Sequence, residues 1–298
     1  MAEVSPEVLP VRGLRADASV VVDSVPRRTV SLETNLCRKG IWHVGPLQLA
    51  LPLDGTDTLG LLRTAGPPLS LFDLDSFAWL TERWRQSDRD GTGRVDFTLY
   101  DFGVDLYGRE PAGKERRLMR ASLKRLLDAT FDLEGYRTSD AAMGQLDSPT
   151  EQGTIKLLSG LRWSTRAAND HHVAYLGGFI VEQLRAGYLT YLDWRVLRTL
   201  DGLAKRLWVY LESQTFTRSG IGEGAVRLWL GPPLLRALGM TDKHAGQRRR
   251  TLLRAAARIE ATDRSFAGFE LVPPSKRGGT WALVARRRLV ARALPPAA

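Results

Sequence analysis

The chain has 298 residues, 43% of them hydrophobic; at roughly 150 residues per domain this supports two buried cores and excludes wholesale disorder. One cysteine, Cys37, excludes a disulfide framework and a cysteine-based zinc site, and no run reaches the ~18 apolar residues of a membrane span. The net charge of +10 is confined: residues 243–292 hold thirteen Lys/Arg and three acids, which leaves thirty of each in the rest. A basic excess localised in this way is the electrostatic footprint of a polyanion partner, above all nucleic acid. No basic segment leads an apolar run at the start, so a cytoplasmic protein without membrane association is expected.

Residues 1–67 carry scattered Pro and Gly with short β-branched runs such as Ser19–Asp23, and read as a partly ordered arm with a strand or two, closed by Pro67 and Pro68. From there a unit is read twice. In the first copy, apolar residues at Leu71, Leu74, Phe77, Ala78 and Trp84 predict a helix over Leu71–Gln86. The turn Asp90-Gly91-Thr92-Gly93 stops it, and Arg94–Phe97 is a predicted strand. Thr98 is placed to cap a helix over Leu99–Tyr107 that Gly108 ends. A loop through Pro111 and Gly113 leads to a helix at about Lys114–Ala129, followed by strand-like pieces at Phe131–Leu133, Ile155–Trp163 and around Val173–Ile180.

In the second copy, Leu192–Glu212 is predicted helical, and the loop Ser219–Gly224 precedes a strand over Ala225–Leu230. Pro232 opens a helix through Leu238 that Gly239 stops, and Ala245–Ala261 is the next helix. Strands at Phe269–Val272 and Trp281–Ala285 flank the loop Pro273–Thr280, and the tail 293–298 is expected to be disordered. Helix, strand, helix, helix, hairpin is the order of a winged helix. The expected fold is therefore α+β and helix-rich, with two tandem winged-helix domains at 68–190 and 191–292.

Signals of chemistry are missing. No Gly-x-x-x-x-Gly-Lys-Ser/Thr phosphate loop occurs. Residues Asp88–Asp96 resemble a calcium loop, but its twelfth position, which should be a bidentate Glu, is Leu99. His171 and His172 are adjacent, whereas a strand-nicking enzyme needs a His-hydrophobic-His arrangement, and on a strand neighbouring side chains diverge. No catalytic residue, metal site or cofactor is expected.

The basic residues fall on helical faces. In Ala245–Ala261, Leu252, Ala255, Ala256 and Ile259 share one face, and Gln247, Arg250, Thr251, Arg254 and Arg258 the other. Arg pairs bidentately with guanine and Gln with adenine in the major groove, so Gln247, Arg250, Thr251 and Arg254 are the candidate base readers. Arg258, Lys276 and Arg277 are candidate phosphate contacts, the last two on the wing loop, and Arg286–Arg288 are ambiguous. In the first copy Met119, Leu123, Leu126 and Leu127 form the buried stripe, with Arg116, Arg117, Arg120 and Lys124 opposite as weaker phosphate contacts.

With these elements placed, the sequence resembles the plasmid replication initiators of the replication initiator protein A family, which bind origin repeats (iterons) through two winged helices. The resemblance is carried by Phe72-Asp73-Leu74-Asp75, VDFTLYDFGVDLYG at Val95–Gly108, RASLKRLLDATFDLEGY at Arg120–Tyr136, LGGFIVEQLRAGYLTYLD at Leu176–Asp193 and LAKRLWVYLES at Leu203–Ser213. It covers about 68–213 and fades on either side. It implies binding to origin iterons, duplex opening and recruitment of the host initiator and replicative helicase. It also implies homodimers that repress their own gene, with the first winged helix in dimerisation and the second in iteron contact. The expected function is thus a non-enzymatic, double-stranded DNA-binding initiator of a plasmid or secondary replicon, associated with nucleoid or plasmid; the alternative is a winged-helix transcriptional regulator without an origin role.

Overall fold

The computed structural model describes residues 29–33, 36–37, 41–42, 62–87, 92–136, 151–164, 171–185, 187, 189–214, 217–218, 223–240, 244–276 and 278–288. Arg277, the turn at 88–91 and the tail 293–298 lie outside them.

Among the described residues two strands precede the first unit, β1 (Thr29–Glu33) and β2 (Leu62–Ala65). The unit itself comprises α1 (Leu71–Ser87), β3 (Arg94–Thr98), α2 (Leu99–Tyr107) and α3 (Gly113–Asp128). The strands β4 (Thr130–Tyr136), β5 (Glu151–Lys156), β6 (Leu158–Arg162) and β7 (His171–Leu176) complete it. Helix α2 has the predicted limits. The Thr98 hydroxyl accepts from the Asp101 amide at 2.9 Å, and Gly108 takes the left-handed conformation at φ 72° that a side chain would resist. Gly103 of α2 packs so closely on Pro111, in the approach to α3, that a Cβ there would collide with the ring.

A connecting segment follows, with α4 (Gly178–Arg185), β8 (Leu189–Asp193) and α5 (Trp194–Thr199). The second unit consists of α6 (Gly202–Glu212), β9 (Thr217–Arg218), β10 (Glu223–Trp229), α7 (Pro232–Ala237), α8 (Ala245–Thr262), β11 (Phe266–Val272) and β12 (Ala282–Arg288).

The sheets carry the winged-helix signature in both units. The first sheet has the order β3-β7-β6 and the second β11-β12-β10-β9, all neighbours antiparallel. In each, the return strand of the wing lies between the strand after the first helix and the outgoing wing strand. The fold is α+β with two tandem winged helices. The first unit differs by a hairpin, β4–β5, inserted before its wing and extended by β2 into a separate sheet.

The duplication extends to side chains. A shift of 133 residues carries the buried stripe Met119, Ser122, Leu123 and Leu126 of α3 onto Leu252, Ala255, Ala256 and Ile259 of α8. The same shift carries Arg125 onto Arg258. Arg125 makes a bidentate pair with Asp73 in the first turn of α1, at 2.8 and 3.0 Å. Arg258 makes one with Asp201, the residue that opens α6. In both units the third helix is thus clamped to the start of the first.

Three expectations need correction. Leu192–Glu212 is not one helix: Leu192 and Asp193 end β8, Asp193 caps α5 by accepting from the Arg195 and Val196 amides, and the chain breaks at Leu200–Asp201 before α6. Ile155–Trp163 is two strands separated at Leu157. The strand around Val173–Ile180 stops at Leu176, where the chain turns into α4. Strand β8, in which residues 190 and 191 lie, pairs with β1 in register Thr29↔Asp193 to Glu33↔Leu189.

Buried side chains from β1 to β12 belong to one continuous apolar core. The N-terminal residues join it: Val30, Leu32, Leu36, Ile41 and Trp42 are buried, and the Thr81 hydroxyl of α1 donates to the Ser31 carbonyl of β1 at 2.6 Å. One buried ion pair spans the two units. Lys205 Nζ of α6 lies 2.8 Å from both carboxylate oxygens of Asp75 on α1, with side chains 5% and 13% exposed. Among the described residues no helix is long and apolar enough to cross a membrane.

Candidate nucleic-acid interface

Helix α8 is mounted rigidly. Its stripe Leu252, Ala255, Ala256 and Ile259 is buried, and just past its C-terminus the carboxylate of Asp263 accepts from the Trp208 indole of α6 at 2.9 Å and from the Ser265 amide at 3.0 Å. Burial pushes the Asp263 carboxyl up, but these hydrogen bonds and nearby Arg287 hold it below the ordinary carboxylate range. A fixed charge here orients the helix, and charged donors and acceptors make the stronger hydrogen bonds.

The opposite face is open. Gln247, Arg250 and Arg254 are exposed and Thr251 is half-buried. Among the described residues neither Arg250 nor Arg254 has an ion-pair or hydrogen-bond partner. Their guanidiniums are left with all donors available, as bidentate recognition of guanine requires. Lys276 is exposed on the wing, whose turn is closed by the Gly279 amide donating to the Lys276 carbonyl at 3.0 Å.

Other expected contacts are already engaged. Arg258 is held by Asp201. Arg286 pairs with Glu270 at 2.9 Å, and Arg287, 12% exposed, pairs with the fully buried carboxylate of Glu212 at 3.0 Å while lying over the Phe266 ring. Arg286 and Arg287 sit opposite Phe266 and Gly268, at the end of the sheet remote from the wing. The basic excess of residues 243–292 is therefore not one face: part neutralises local acids, part is open on α8 and the wing, and Arg264 and Arg288 are exposed at the remote end of the sheet.

In the first unit the weaker set divides likewise. Arg116 bonds the Pro111 carbonyl at 3.1 Å and Glu110 at 3.2 Å, and Lys124 pairs with Asp128 at 2.9 Å. Arg120 lies over the Trp163 ring at 5.6 Å, and Trp163 stands edge-on to buried His172. Arg117 is exposed and, among the described residues, without an ion-pair or hydrogen-bond partner. In α3, Arg117 is the position that the 133-residue shift carries onto Arg250.

Sequence reasoning missed three participants. Trp281 receives Arg249 of α8 at 4.3 Å and ties the helix to the base of the wing. Asp201 restrains Arg258. Leu253, on the solvent side of α8, is 42% exposed. Only Trp281 left a signal, as a large aromatic beside a predicted wing.

No protein-family model matches the sequence, and no curated protein matches it at a significant level. Solved structures do match. Domains 2 and 3 of RctB share 14% identity at a TM-score of 0.56, covering 87% of this chain and 98% of that one. The Pi initiator protein, crystallised in complex with iteron DNA, shares 12% identity at a TM-score of 0.51, covering 88% of this chain and 97% of that one. The chain shares their fold.

Proposed function

We propose that the chain is a sequence-specific binder of double-stranded DNA that initiates replication of a plasmid or secondary replicon from repeated origin sequences. The observation that carries this reading is α8: a rigidly mounted helix with Gln247, Arg250 and Arg254 open on its outer face, in a fold shared with an initiator crystallised on iteron DNA. The mechanism is binding and remodelling rather than bond chemistry. Phosphate contacts fix register, α8 reads base edges, and the two units grip successive groove faces. The second unit, 191–292, carries base reading; the first, 68–190, carries backbone contact through Arg117 and self-association. Arg258 serves as a clamp within the second unit. Homodimer formation, repression of its own gene and recruitment of a host initiator and helicase belong to the same reading.

Footprinting of the full chain on DNA flanking its own gene tests it. Protection of direct repeats is expected; protection of a single palindrome moves the reading to a transcriptional regulator, and no protection removes it. Salt dependence tests the interface. Arg117, Lys276 and Arg277 give about three phosphate contacts, so log affinity against log salt is expected to fall with a slope of about −2.7, at ~0.9 per contact. A nearly flat dependence in titrations between 50 and about 200 mM salt removes this set.

A further inference from the structure

Resting on the reading of α8 as a base-reading helix, the geometry points to Leu253 as a reader of a different kind, one that selects thymine by packing on its 5-methyl group in the major groove. Leu253 is 42% exposed, whereas its chain neighbour Leu252 is 1% exposed within the buried stripe. At about 100° per residue its side chain falls between the wing side of α8 and the outer edge that presents Arg250 and Arg254.

The two units differ at this position. The shift that aligns the buried stripes puts Leu253 at the position of Arg120, an exposed arginine whose guanidinium lies over the ring of Trp163 of the first wing. In the second unit the wing aromatic, Trp281, is taken by Arg249, one turn earlier on α8. Leu253 stays 42% exposed, apolar, between the wing side of α8 and its outer edge.

The surroundings define the occupant. Arg250 and Arg254 flank Leu253 along the chain, and a cationic face attracts a polyanion. A leucine offers that polyanion no hydrogen bond and no charge, so it gains nothing from phosphate, sugar hydroxyl or the polar base edges. Thymine alone among the four bases presents a methyl group in the major groove. Removing one methyl group from water is worth a factor of about four in affinity.

The test uses the full chain and duplexes that it selects from a random-sequence pool. Each thymine of the selected site is replaced singly by deoxyuridine, which deletes only the methyl. The natural chain is expected to lose about fourfold at one or two positions. Leu253→Ala is expected to bind the thymine and deoxyuridine forms equally at those positions, with sensitivity elsewhere unchanged. Leu253→Met, which keeps an apolar end, is expected to retain the preference. Leu253→Ala is expected to keep the fold, because Leu253 lies outside the buried stripe of α8 and alanine has the highest helix propensity; a thermal unfolding scan of the variant checks this. An indifferent natural chain, or a Leu253→Ala pattern identical to the natural one, overturns the assignment while leaving base reading by α8 standing. Failure to select any sequence overturns both.

Discussion

Lys205→Ala or Asp75→Ala is expected to lower stability by about 3–5 kcal/mol, because either leaves a buried charge without its partner. The pair joins α1 to α6 at 2.8 Å and is nearly sealed from water. Burial pushes the Asp75 carboxyl up from 3.8 to about 6, against the opposing pull of Lys205. A carboxyl whose folded pKa lies above its unfolded value favours folding when protonated. Its contribution is therefore complete below about pH 3.8 and lost as the pH rises through about 6. Most carboxylates act in the opposite sense. In Lys205→Ala the lone carboxyl can escape its penalty by taking a proton, so the loss should be smaller at mildly acidic pH than at neutral pH. In Asp75→Ala no carboxyl remains at the site to take a proton, so acid brings no such relief. Asp75→Leu combined with Lys205→Met, which fills the site with apolar volume, should restore most of the stability and flatten the profile between pH 4 and 7. Urea unfolding across that range measures all four chains. Equal losses for the two single variants at every pH would show that the ion pair is not the source.

Arg250→Ala and Arg254→Ala are each expected to cost about 1–3 kcal/mol on the cognate duplex and to relax preference at one base pair. Both side chains are exposed and without a partner among the described residues, so their loss leaves the fold untouched. Lys276→Ala, on a loop that cannot fix base geometry, should weaken cognate and random duplexes alike and reduce the salt slope by about one. Competition binding against cognate, singly substituted and random duplexes separates the two behaviours. Equal losses on all three for the arginine variants would make α8 a phosphate clamp and move base reading to α3, where Arg117 holds the matching position.

The difference between what the residues announced and what they concealed follows from range. Helix α2 was legible to the residue because its signals are local: a threonine hydroxyl three positions from its amide, and a glycine at the left-handed end. The stripes of α3 and α8 were legible from their 3.6-residue period. The break between α5 and α6 was hidden because Leu192, Val196, Leu200, Leu203 and Leu207 keep a helical rhythm across it, and only the capping Asp193 and the sequence Asp201-Gly202 mark the interruption. Helix α4 was hidden by Ile180 and Val181, which read as a continuing strand. The pairings that decide which cations are free span 57 residues for Arg258 with Asp201 and 130 for Lys205 with Asp75, and no periodicity reports contacts at that distance. Exposed arginines and clamped ones look alike in a sequence.

The pairing of β1 with β8 has a consequence for synthesis. Strand β1 leaves the ribosome long before its partner, which begins at Leu189 and closes the register only at Asp193. At about 5–20 residues per second that interval lasts on the order of ten to thirty seconds. Throughout it, Val30 and Leu32 belong to a strand without its ladder partner, an invitation to pair with another nascent chain. The first winged helix can complete its helices and wing in that time, but its flank stays unfinished until the segment leading into the second unit arrives. Translation speed through the middle of the message therefore bears on how much of the chain escapes aggregation.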